Sequence, residues 1–71
     1  MDKIGTRLVQ SIRERAEQNG TKFREERRKL NFSPQDIYNW EKLRFNPSAL
    51  VLQDMALAGY DVHWILTGER K

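Results

Sequence analysis

Ser33-Pro34-Gln35-Asp36-Ile37-Tyr38-Asn39-Trp40-Glu41-Lys42, entered through Asn31-Phe32, is the stretch on which the reading of the fold depends. Ser33 is a good N-cap, Pro34 suits the first helical position, and Asp36 completes a variant of the capping box. Ile37, Trp40 and Leu43 then form an inward stripe at helical spacing. Phe45-Asn46-Pro47 breaks the helix, because a residue before proline is pushed out of the helical region. Ahead of Ser33, Asn31 ends another helix, and Phe32 is placed to plug a core from the turn.

Working outward, the same punctuation divides the chain into five helices, at about residues 3–18, 22–30, 34–43, 48–58 and 62–66. Ile4, Leu8, Ile12 and Ala16 recur every four residues, Val9 widens the stripe, and Asn19-Gly20 supplies a stop. Thr21 is suited to cap the second helix, where Phe23, Arg27 and Leu30 share a face. Arg27 stands where an apolar residue belongs, so its stem is expected to cover core surface while its head reaches water. Ser48 caps the fourth helix, with Leu52, Met55 and Ala56 facing in and Gly59 closing it. Asp61 caps the short fifth helix, closed by Thr67-Gly68. Trp64 and Ile65 belong either to the core or to a dimer surface. No segment alternates like a strand, so the expected fold is all-α, a single compact five-helix bundle over residues 1–71.

Composition removes several function classes. A chain of 71 residues makes one domain and leaves little room for a buried active-site cavity. Without cysteine there is neither a disulfide framework nor a Cys-based zinc site. His63 is the only histidine, short of the convergent ligands a metal needs, and is expected to be exposed or capping. No cofactor is implied. Glu25 and Glu26 are adjacent but lie on different helical faces, which disfavours acid–base work. There is no Gly-rich phosphate loop and no nucleophile with a partnering base, so an enzyme is not expected. No apolar run approaches the roughly 18–20 residues that span a bilayer, and no apolar stretch follows Met1-Asp2-Lys3-Ile4-Gly5. A soluble, cytoplasmic protein is the expectation.

Distribution of charge says more than the net +3. Lys22, Arg24, Arg27, Arg28 and Lys29 crowd together against only Glu25 and Glu26, either as a solvated helix face or as a phosphate-facing patch. On the third helix, Gln35, Tyr38, Asn39 and Lys42 occupy the side away from Ile37 and Trp40. Gln and Asn pair bidentately with adenine, and the major groove, about 12 Å wide, admits one helix. Tyr38 suits a thymine methyl or a phosphate, and Lys42 the DNA backbone. The unit from Thr21 to Lys42 therefore reads as a helix-turn-helix whose second helix enters the groove.

The stretch from Ser33 to Lys42, then Asn46-Pro47-Ser48, then Asp61-Val62-His63-Trp64-Ile65-Leu66-Thr67-Gly68-Glu69, resembles the N-terminal domains of lambda-type phage repressors and their Cro-like relatives. Within that group it is similar to the repressor branch ending its DNA-binding domain in D-V-H-W-L-L-T-G-E. The resemblance covers nearly the whole chain. It implies a regulator, in a bacterial host cell, that binds double-stranded operator DNA as a homodimer and represses or switches phage or prophage promoters. It also implies that Gln35, Tyr38 and Asn39 read bases and that Ser33 and Lys42 sit at or near phosphates. The loop with Arg44, Asn46 and Ser48 would contact the backbone, as would Lys22 and Arg24, and Glu41 would pair with an arginine of the first helix, Arg13. Two positions depart from the family pattern: Arg27 and Asn31 replace a small residue of the second helix and a glycine of the turn. The approach from Thr21 to the turn is also slightly long.

Two rivals stand beside this reading. One is a protein-interaction module, antitoxin-like or an antirepressor partner, built on the same bundle. The other is non-specific nucleic-acid packaging, which so small a net charge argues against.

Overall fold

The computed structural model describes residues 3–42 and 44–70. Five helices follow one another, α1 (Ile4–Asn19), α2 (Phe23–Lys29), α3 (Pro34–Glu41), α4 (Ala49–Leu57) and α5 (Val62–Thr67), with no strand among the described residues. The fold is the expected all-α bundle. Its Cα radius of gyration, 11.1 Å, matches the roughly 11 Å of a compact chain this long.

The central element is α1. Its stripe buries Leu8, Val9, Ile12 and Ala16, and its backbone packs against α2, α3 and α5. Gly20, at φ 67°, ends it in a left-handed turn: Thr21 N–H donates to the Ala16 carbonyl and Gly20 N–H to that of Glu17. This paired arrangement satisfies carbonyls that the last turn leaves without partners. Near the other end, Gly5 lies against the end of α3, where a Cβ would stand only 2.5 Å from the Trp40 carbonyl oxygen. A side chain at position 5 would force the two helices apart.

Three arginines of α1 carry the contact further. Arg7 Nε donates to the Ile65 carbonyl at 2.8 Å, and its Nη2 to Leu66 at 3.2 Å, at the end of α5. Arg15 Nη1 donates to the Ala58 carbonyl at 2.9 Å, just past α4. Arg13 pairs with Glu41 at 2.6 Å, at the end of α3. Cations thus sit where helix ends carry partial negative charge, and the Arg13–Glu41 pair is the one the resemblance implies.

Leu8, Val9, Ile12, Met55 and Ile65 are fully enclosed, and Phe32, Ile37, Trp40 and Trp64 complete the core. Phe32 plugs the turn as expected, meeting Trp40 edge to face with ring centroids 5.1 Å apart. Trp64 and Ile65 belong to the core. His63 is exposed.

Three expectations need correction. Thr21 does not cap α2; Lys22 holds the N-cap position without a side-chain bond, and the Thr21 hydroxyl donates instead to the Glu26 carboxylate at 2.6 Å. Capping lost because a buried acid competes for the hydroxyl. Ala56 faces solvent: α4 is apolar almost all round, so its stripe was ambiguous, and Met55 with Val51 and Leu52 turns inward. The half-exposed Arg27 also bonds inward, its Nη1 donating to the Phe32 carbonyl at 2.6 Å. The third helix stops at Glu41, two residues early; the inward place expected for Leu43 lies outside the described residues.

Candidate nucleic-acid interface

The start of α3 is fixed locally. The Ser33 hydroxyl accepts from Asp36 N–H at 3.0 Å, and the Asp36 carboxylate accepts from Ser33 N–H at 3.1 Å, closing the capping box. Buried Ile37 and Trp40 anchor the inner face. One helical step round, Gln35 is exposed, Tyr38 is 45% exposed and Asn39 is half-buried. The Gln35 amide donates to Asn39 Oδ1 at 3.2 Å, a favourable i,i+4 contact that aligns the two amides on the surface.

Cations gather at the far end of this face. Lys42 Nζ lies 6.0 Å and Arg44 Cζ 5.6 Å from the centre of the Tyr38 ring, within cation–π reach. The Arg44 backbone folds back over the helix, its N–H donating to the Asn39 carbonyl at 2.9 Å. Gln35, Tyr38, Asn39, Lys42 and Arg44 therefore form one continuous outward surface. Asn46 and Ser48 are exposed in the loop that follows, where the Ser48 hydroxyl accepts from Val51 N–H at 3.3 Å to cap α4. Both serines expected at phosphates are caps whose hydroxyl protons remain available to an anion.

Lys22, at the N-cap of α2, and Arg24 within it are exposed, and no side-chain hydrogen bond or ion pair among the described residues links them to this surface. The backbones of α2 and α3 do not pack against each other directly. They are joined through α1, through Phe32 and through the Arg27 guanidinium that fills the corner, with Asn31 in a left-handed conformation at φ 62°. The departures at positions 27 and 31 both lie in this corner.

The basic run on α2 splits in two. Arg27 and Lys29 serve the fold, Lys29 donating to Glu26 at 3.2 Å. The side chains of Lys22, Arg24 and Arg28 are exposed and make neither a hydrogen bond nor an ion pair with any described residue, and the same is true of Lys42 and Arg44. By contrast Arg7, Arg13, Arg15 and Arg70 all have protein partners. Arg28, part of the basic run read as a phosphate-facing patch but not named among the DNA-backbone contacts, stands one turn from Arg24 on the same side of α2.

Behind the patch, Glu26 is almost fully buried. The Thr21 hydroxyl bond, helped by Lys29, holds its carboxyl below the ordinary 4.5 although burial pushes the other way. Glu26 is a charged tie between the α1–α2 loop and α2, away from the outward surface. Burial raises the Tyr60 phenol. Tyr60 helps line a recess of about 180 Å³ with Ser11, Glu14, Arg15, Trp64 and Arg70. Its charged groups all have partners within the protein: Arg70 pairs with Glu14 at 2.9 Å and stacks on Trp64, Arg15 stacks on Tyr60, and Asp61 caps α5. No group of three His, Cys, Asp or Glu residues suited to a metal occurs among the described residues, and none of their helices is long and apolar enough to cross a membrane.

No family model, curated protein or solved structure matches the chain.

Proposed function

We propose that this protein is a sequence-specific DNA-binding regulator, of the phage or prophage repressor kind, whose α3 enters the major groove. The observation that carries the reading is the surface of Gln35, Tyr38 and Asn39, held rigidly from behind by Ile37 and Trp40 and edged by Lys42 and Arg44, which have no ion-pair partner among the described residues. Such a surface offers hydrogen-bonding amides to base edges and cations to phosphates, the two kinds of contact that recognition of duplex DNA combines. The amide bond divides the work. Gln35 keeps its carbonyl and one N–H for the paired donor and acceptor of adenine, while Asn39 keeps both N–H donors for acceptor atoms such as guanine O6 and N7. Lys22, Arg24 and Arg28 supply phosphate contacts from α2, with Ser33, Asn46 and Ser48 as neutral donors.

Selection from a randomised DNA pool, read by sequencing, tests the proposal. A defined motif is expected, and a palindromic one if two copies bind together. On that motif Gln35→Ala or Asn39→Ala should cost about 1–3 kcal/mol and relax preference at one or two base pairs. Arg24→Ala or Arg44→Ala should weaken binding on every sequence and lower the salt slope by roughly one. Enrichment of no motif, or unchanged selectivity in both amide variants, overturns the reading in favour of a protein-interaction module.

A further inference from the structure

The recess between α1 and the start of α5 is closed on one side by a side chain that belongs to neither helix. After α5 the chain turns at Gly68, whose φ of 79° is left-handed and whose N–H donates to the Trp64 carbonyl at 2.7 Å. Glu69 N–H then donates to the Thr67 hydroxyl at 3.1 Å. Beyond this turn Arg70 lies back over the fold. Its Nη2 donates to Glu14 Oε1 at 2.9 Å, and its Cζ stands 4.2 Å from the centre of the Trp64 ring.

Both surfaces that receive Arg70 are held by other contacts. Trp64 is only 8% exposed, so its ring is fixed by the core. The second carboxylate oxygen of Glu14 accepts from the Gln10 amide at 3.2 Å, one turn earlier on α1. A fixed ring beside an oriented carboxylate matches a guanidinium, which stacks through its plane and donates through its edge, whereas an ammonium has no plane to stack. The same chemistry recurs on the other wall, where Arg15 Cζ lies 3.8 Å from the Tyr60 ring centre and Nη1 donates to the Ala58 carbonyl. There the cation is part of α1 and built into the fold. Arg70 stands on a non-helical segment, and the Arg70 and Glu14 side chains keep 52% and 39% exposure, so their pair is open to exchange.

We infer that Glu14 and Trp64 form a guanidinium-binding site, which the chain fills with its own Arg70 and which accepts an external guanidinium, such as that of another arginine side chain, when Arg70 leaves. A ligand tethered this closely acts at an effective concentration of about the millimolar range, so Arg70 is a built-in competitor. None of these residues belongs to the outward surface of α3, and the inference stands independently of DNA binding.

Nuclear magnetic resonance of the nitrogen-labelled full chain provides the test. The indole N–H of Trp64 is the reporter, and that of Trp40, packed on Phe32, is the internal control. Arg70→Ala should shift the Trp64 signal and leave Trp40 in place, and Arg70→Lys should resemble it rather than the wild type. Methylguanidinium titrated into Arg70→Ala should move the Trp64 signal saturably, with half-saturation at least roughly threefold lower than in the wild type, where the tethered arginine competes. Adding Glu14→Gln should weaken that response. Methylammonium, which has the charge without the plane, should give none. Neither substituted side chain is buried, so the variants keep the fold, which the Trp40 signal verifies. A Trp64 signal indifferent to Arg70→Ala, no saturable response of that variant to methylguanidinium, or an equal response to methylammonium overturns the inference. Failure of the DNA selection leaves these readouts untouched.

Discussion

Glu26 is a buried carboxylate with a defined task. It accepts from Thr21 and Lys29, and the bonds outweigh the burial that would otherwise favour its neutral form. A carboxyl whose folded pKa is lowered contributes stability that is fully present above its unfolded value, near 4.5, and is lost as pH falls through the folded value. The wild type should therefore be more stable than Glu26→Gln at pH 7, and the difference should shrink on acidification below about pH 5, as followed by urea denaturation across pH. A difference that is flat with pH would mean that Glu26 acts by packing alone. No such role was legible beforehand. Glu25 and Glu26 are equivalent in composition, and only their 100° rotation about α2, together with the partner at Thr21, separates them. The same holds for Arg28 and Lys29, one exposed and one tied to the fold. Gln35, Tyr38 and Asn39 were legible as an outward set, because Ile37 and Trp40 define the inside of α3 and the three residues lie off that stripe.

Between elements, Gly5 lies against the backbone at the end of α3. Gly5→Ala should be destabilising by about 1–3 kcal/mol, because the new methyl meets backbone rather than a movable side chain. For a domain of this size that corresponds to a fall of several degrees or more in the melting temperature. An unchanged melting temperature would show that α1 and α3 can separate freely. Helix starts were readable from the sequence wherever the cap is local. Ser33, Ser48 and Asp61 each accept from an N–H three residues on, so the pattern and the bond occupy the same few positions. The α1 contacts were not readable. Arg7 and Arg15 bond carbonyls more than forty residues away, and carbonyls are common to every residue, so no side-chain type marks the partner. Periodicity also failed on α4, where nearly every position is apolar and the choice of buried face is made by α5.

Across the molecule, stability is expected to fall away from the centre. Since α1 is packed on three sides while α4 has one neighbour, native-state hydrogen exchange should find the slowest amides around Leu8 to Ile12 and the fastest helical amides in α4. Equal protection in the two helices would contradict this gradient. The open corner between α2 and α3 has another consequence. Between the two helices stands the Arg27 guanidinium, which spans from α2 to the Phe32 carbonyl. A shorter residue there would let the pair hinge inward and shift the footprint of the α2 cations relative to α3. If DNA binds this face as proposed, preference can drift through a half-buried position away from the outward surface, with every proposed contact left intact.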